Sequence, residues 1–183
     1  MANKRTFFLL AAALAAGASA AALSGCAAPP VTDYAGEKPV LDLARYFDGR
    51  VVAHGMFQDR FGKIAKRFTV VIDGRWNGGQ GVLNETFTYS DGTTGRRVWN
   101  LTQHADGRVT GTAGDVVGEA TGQLAGNTFH WQYTLSQPIG DRVYDVQMDD
   151  WMVLVDERVM LNRATMSKLG VKLGEVIISF HKP

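Results

Sequence analysis

A chain of 183 residues with 19 Lys+Arg against 18 Asp+Glu, a single Cys and 21 Gly is long enough for one domain at roughly 100–200 residues each. A formal charge of +1 leaves no basic excess to neutralise phosphates, which excludes a dedicated nucleic-acid binder. One cysteine excludes an internal disulfide or a cysteine metal cluster, and 45% hydrophobic residues exclude a disordered chain.

The first residues read as an address. Lys4 and Arg5 give a basic start, Thr6 to Ala22 is an uncharged Ala-rich run, and Leu23-Ser24-Gly25-Cys26 follows. This is the layout of a secretory signal peptide, and the run is shorter than the roughly 20 apolar residues of a comfortable membrane span. Leu-Ser-Gly-Cys resembles a bacterial lipobox, which implies cleavage before Cys26 and acylation of that residue on its sulfur and its new amino group. Cleavage near Ala18-Ser19-Ala20 is the alternative, leaving Cys26 a free thiol. Several acyl chains anchor stably where one does so only marginally. Ala27, not Asp, follows the cysteine, which by resemblance to the enteric sorting rule favours the periplasmic face of the outer membrane. Losing Lys4 and Arg5 takes the 19 basic residues to 17, against 18 acidic. The expected organisation is therefore residues 1–25 as signal peptide, 26–39 as a lipidated, Pro-containing tether, and 40–183 as the folded domain.

From Val40 the periodicity predicts one short helix around Leu41, Leu43, Tyr46 and Phe47, stopped at Asp48-Gly49. The remainder alternates with period two and is cut by turn signals at Asp91-Gly92, Asp106-Gly107 and Gly126-Asn127. Ten strands are predicted: Val51–Phe57, Arg67–Trp76, Val82–Tyr89, Arg96–His104, Arg108–Ala113, Gly118–Leu124, Thr128–Leu135, Val143–Val155, Val159–Lys168 and Glu175–His181. Short connections make neighbours antiparallel. A sheet this wide is relieved of its exposed edges by closing. The expected fold is thus all-β, an up-and-down antiparallel barrel of about ten strands, like lipocalins and fatty-acid-binding proteins, with a short N-terminal helix. Its outward faces carry Arg, Asp, Glu and Gln, which argues against a membrane-spanning barrel.

Alternation also assigns faces. Phe68, Val70, Ile72 and Trp76 share one side; Leu83, Phe87 and Tyr89 share theirs with Glu85; Trp99 and Leu101 with Arg97. Phe129, Trp131, Tyr133 and Leu135 line up together, and Asp150 falls among Tyr144, Val146, Met148, Met152 and Leu154. Three ionisable residues, Glu85, Arg97 and Asp150, therefore interrupt apolar inner faces, where an unpaired charge is expensive. With Ser90–Thr94 as a five-residue loop, Phe87 faces Arg97 and Glu85 sits on its diagonal. Two readings follow. Arg97 sits in a cavity walled by Trp76, Tyr89, Trp99, Trp131 and Tyr133 and takes the head group of a lipophilic anion, with Glu85 and Asp150 tuning it. Alternatively, Arg97 only pairs with Glu85 or Asp150 in a barrel filled by aromatic rings.

Other constellations carry less. His54, His104, His130 and His181 lie on different strands without zinc spacing. Asp149 and Asp150 are adjacent in a strand and point to opposite faces, so they cannot act as a pair. The glycines from Gly111 to Gly122 lie among strands and read as bends, not a phosphate loop. No metal, cofactor or catalytic residue is expected.

Asp59-Arg60-Phe61-Gly62, Arg97-Val98-Trp99, Gly114 to Ala120, Asp149-Asp150-Trp151-Met152 and Asn162-Arg163-Ala164-Thr165-Met166 resemble the motifs of the domain-of-unknown-function 3833 family of bacterial lipoproteins. The resemblance runs from about Leu41 to Lys182. It implies a lipocalin-like barrel and assigns no activity or catalytic residue; encoding of members near fatty-acid-modifying enzymes favours a lipid role. The sequence thus points to a non-enzymatic, membrane-anchored lipoprotein of the bacterial envelope that binds or carries a fatty acid or other acyl-chain ligand. Its rivals are an envelope assembly factor with a filled barrel and, less favoured, a lipid-modifying enzyme using Asp150 or Glu85 as acid or base.

Overall fold

The structure, a computed structural model, describes residues 28–139 and 141–183. The signal segment and Cys26 lie outside the described residues. Ten antiparallel strands follow one another around a closed barrel: β1 (Gly49–Asp59), β2 (Ile64–Asn77), β3 (Gln80–Tyr89), β4 (Thr94–Gln103), β5 (Arg108–Thr112), β6 (Val116–Ala125), β7 (Thr128–Ile139), β8 (Arg142–Leu154), β9 (Val159–Lys168) and β10 (Val171–His181). All ten expected strands are present, most of them a few residues longer than predicted. Closure comes from β1 against β10, with Val52 opposite His181 and Asp59 opposite Gly174, so the sheet has no terminal edge strand.

One end of the barrel is plugged by the short helix α1 (Leu43–Phe47), whose N-cap Asp42 accepts from the Arg45 N–H. Leu43, Tyr46 and Phe47 turn inward and are buried with Val51, Ile72 and Phe180. Gly74 makes this docking possible, because a side chain there would run into the Phe47 carbonyl. The helix is too short to satisfy its own last carbonyls. Lys182 does so instead, donating from Nζ to the Arg45, Tyr46 and Asp48 oxygens at 2.6, 2.9 and 2.9 Å. Lys182→Met is expected to cost about 1 kcal/mol, read by urea denaturation, since it strands those acceptors at a partly wet surface.

Within the segment expected as a tether, Val31 and Tyr34 touch the barrel, while Thr32, Asp33 and residues 35–38 are exposed. Val31–Tyr34 forms a 3-10 turn with Val31 buried, Tyr34 meets Trp151 edge-on at 6.1 Å, and Leu41 donates its N–H to the Gly126 carbonyl at 2.8 Å. Gly126, at φ +55, has no room for a side chain against the Tyr34 carbonyl. Val31 and Leu41 are the reason: apolar residues beside an uncovered wall are better buried than left in water.

The β3–β4 register differs from expectation. Tyr89 N–H donates to the Thr93 carbonyl at 2.9 Å, which leaves Ser90–Gly92 as the loop, with Gly92 at φ +83. The Asp91 carboxylate fixes it by accepting from the Thr93 N–H at 3.0 Å and its hydroxyl at 2.6 Å. The loop stays odd in length, so the faces survive, but the pairing slips. Glu85, expected on the diagonal, stands directly opposite Arg97, and Phe87 faces Gly95.

Candidate functional site

Inside the barrel lies a cavity of about 520 Å³, within the roughly 300–1,000 Å³ of ligand pockets. Its deep part is bounded by α1 through Leu43 and Phe47 and by the rings of Phe129, Trp131, Trp99 and Tyr133. Those rings pack edge to face or tilted, with Trp99 at 5.1 Å from Trp131 and 5.5 Å from Tyr133. Toward the opposite end the walls are Phe57, Phe68, Phe87 and Tyr89, with Lys66 and Gln137 also in the lining. Methionines 148, 152 and 166 line the β8–β9 side, supplying adaptable apolar surface.

Of the residues singled out from sequence, Glu85, Tyr89, Arg97, Trp99, Trp131, Tyr133 and Asp150 all line this cavity. Trp76 does not. It stands opposite Gly81 on β3 and packs over it, beside a separate surface concavity formed with Leu101 and Gly111. Strand β2 is long and twisted, so the alternation that puts Phe68, Val70 and Ile72 in the cavity carries Trp76 past the barrel's plugged end.

The charged residues are connected differently from the pairing expected. Arg97 gives its guanidinium fork to Asp115 in the β5–β6 turn: Nε donates at 3.0 Å and Nη2 at 2.7 Å. Nη1 is 3.9 Å from Glu85, an ion pair without a hydrogen bond. The Phe87 and Trp99 ring centroids lie 5.7 and 5.9 Å from the guanidinium carbon, within cation–π range. Asp150 makes no ion pair with Arg97; Asn162 Nδ2 donates to it and, at 3.3 Å, to the Trp151 carbonyl. Asp149 lies on the outer wall, where it accepts from Gln132 at 2.7 Å and from Trp151 Nε1 at 2.9 Å. The two adjacent aspartates thus face opposite ways, as alternation requires.

Burial sets the electrostatics. It pushes Glu85 up from 4.5 to about 7, against the pull of Arg97, and Asp150 from 3.8 to about 7, against the Asn162 hydrogen bond. Burial also raises the Tyr133 phenol, with Asp150 adding to it. Arg97 feels burial as a lowering force, but its hydrogen bonds to Asp115 and the nearby Glu85 hold it above its ordinary value.

Two residues of this site were missed by the inner-face rule. Asp115 sits in a turn, where alternation says nothing. Asn162 is neutral, so it raised no cost of burial, although only 4% of it is exposed. Both lie inside the motif segments that carry the family resemblance, and that was the available signal.

A ten-stranded barrel closed on itself, plugged at one end and hollow beside a buried charge cluster, defines the class of protein. The chain belongs to the family described as "Protein of unknown function (DUF3833)", whose profile it matches over residues 20–182. Among solved structures it is similar to an S-type phycobiliprotein lyase, CPES, from Guillardia theta, with a TM-score of 0.59 at 8% identity, covering 85% of this chain and 98% of that one. That likeness bears on the fold alone. No curated protein matches the sequence.

Proposed function

We propose that this protein is a lipid-anchored carrier of the bacterial envelope that holds a lipophilic ligand inside its barrel. The observation that carries the reading is the cavity itself: about 520 Å³ of space walled mainly by aromatic, aliphatic and thioether side chains. A barrel that served only as a scaffold would gain stability by filling that volume. Acylated Cys26 supplies the anchor, and Ala27 after it favours the outer membrane's periplasmic face.

The loops at the unplugged end support a lipid role. Phe61 in the β1–β2 turn is 80% exposed and Leu169 in the β9–β10 turn 90%. Arg60, Lys63, Lys168 and Lys172 flank them in sequence. Apolar tips beside cations suit a surface that meets anionic lipid.

Native mass spectrometry of the full chain purified without added lipid is expected to show a bound lipophile, and Val176→Trp is expected to lose it. Val176 lines the cavity from β10, so the larger ring takes up ligand space. Recovery of the same lipophile on a folded Val176→Trp variant, or of none on the native protein, overturns the reading. In cell fractionation, Cys26→Ala is expected to move the protein out of the membrane fraction.

A second reading, an enzyme acting on the ligand, draws on one observation. Two buried carboxyls held at about 7 are in the range of a general acid or base. It requires a turnover that Asp150→Asn abolishes. The phycobiliprotein lyase lends it nothing at 8% identity.

A further inference from the structure

The carrier reading leaves open what the ligand's polar end looks like, and the cavity's hydrogen-bond inventory constrains it. The obvious host for an anionic head is Arg97, but its Nε and Nη2 are both spent on Asp115. Counted as charges, Arg97 and Asp115 cancel. What remains in the wall is Glu85 and Asp150, so the cluster ranges from neutral to doubly negative and is at no point positive. Beside those charges stand acceptors that lack donors. Glu85 has an ion pair at 3.9 Å and no closer partner. The Asp150 carboxyl, 5% exposed, has one donor. Beside it Asn162 turns its Nδ2 to Asp150 and Trp151, leaving its own Oδ1 buried without a partner. An orphaned buried acceptor is costly, and it adjoins a carboxyl in the wall of a ligand-sized space.

We infer that the ligand carries a hydrogen-bond-donating head, best a protonated amine on an apolar body, received by Asp150 and Asn162 with Glu85 in support. Arg97 is a positioning residue that keeps Glu85 and Asp115 in place. The inference rests on the carrier reading and sharpens it, because a fatty-acid carboxylate would meet two carboxyls and an Arg97 already charge-balanced by Asp115. The groups that bear on Asp150 are Asn162 from β9, Asp149 beside it on β8, Arg97 from β4, Glu85 from β3 and Tyr133 from β7; Asp115 from the β5–β6 turn acts on Glu85 and Tyr133. Lys66, at the far end of the lining, is paired with Asp91 at 2.8 Å.

The test uses three probes with one tail: laurylamine, lauryl alcohol and laurate, offered as an equimolar mixture to the full chain at pH 7.5 and counted by native mass spectrometry. The amine complex is expected to exceed the laurate complex about tenfold, with the alcohol between them. Asp150→Asn is expected to shrink that preference to less than threefold while still binding the alcohol, which shows the cavity intact. Equal uptake of all three, or a preference for laurate, overturns the donor-head inference and leaves the carrier reading standing. Uptake of none overturns the carrier reading itself. Equal amine attachment to Val176→Trp marks surface adsorption and also overturns the inference.

Discussion

Arg97→Leu is expected to destabilise the barrel by about 3 kcal/mol at pH 8, the low end of the cost of stranding a buried charge, and by visibly less at pH 5. Removing the guanidinium leaves Glu85, whose side chain is 13% exposed, with no cation within reach, and leaves Asp115 without its two-pronged partner. Asp115 is 39% exposed and can recover water, which keeps the figure at the low end. Glu85 cannot recover water, but it can take up a proton, and with Arg97 gone nothing opposes that. Acid therefore rescues the variant. Urea denaturation at the two pH values measures the difference, and an equal loss at both would mean that Glu85 is not the stranded group. Arg97→Lys is expected to restore little, since a point-like ammonium cannot make the paired contact with Asp115.

The second large effect concerns the native protein. Its stability is expected to fall as pH rises from about 4 to about 7 and to level off above that. The sign follows from proton counting. Between these values Glu85 and Asp150 still hold their protons in the folded barrel, with values near 7, while the unfolded chain has released them. Where the native state binds more protons, stability decreases with pH. Asp150, displaced from 3.8 to about 7, costs on the order of 4 kcal/mol once ionised. Below about pH 4 the slope reverses. Asp149, Asp156 and Glu175, whose hydrogen bonds hold them below their ordinary values, then take up protons and lose those bonds. A stability maximum near pH 4–5 is the expected curve. Asp150→Asn should flatten its alkaline limb and raise stability at pH 8, read as thermal midpoints across the range; an unchanged limb would place the penalty elsewhere.

Such a penalty at neutral pH weighs against a purely stabilising role for the two carboxyls. An apolar pair in place of Glu85 and Asp150 would make a more stable protein. Retaining them is in keeping with a ligand that needs acceptors in an apolar room, and a bound cation would offset the same cost.

How far these features were legible in the sequence follows from which rule applied. Period-two alternation with turn signals is local information, and it placed Glu85, Arg97 and Asp150 on inner faces because a strand's geometry permits nothing else. The same rule put Trp76 on the inner face, where it packs against the core but beyond the cavity, since alternation does not say where a long strand leaves the ligand space. Loop length was the next weakness. Asp91 and Gly92 mark a turn, but the Asp91 side chain decides where it closes, and moving that closure exchanged a diagonal Glu85–Arg97 contact for a direct one. Partners from distant segments were beyond any local pattern. Asp115 reaches Arg97 across 18 positions of chain and Asn162 reaches Asp150 across 12.

The sequence alone determined the strand count, the closed antiparallel topology and the inward face of nearly every strand, because each rests on residue type at short spacing. Tertiary structure decided the rest: that the barrel is hollow, that Arg97 is already bound to Asp115, and that Asp150 turns to Asn162 instead of to Arg97. Volume and charge balance are sums over all ten strands, and such sums exist only once the chain has closed on itself.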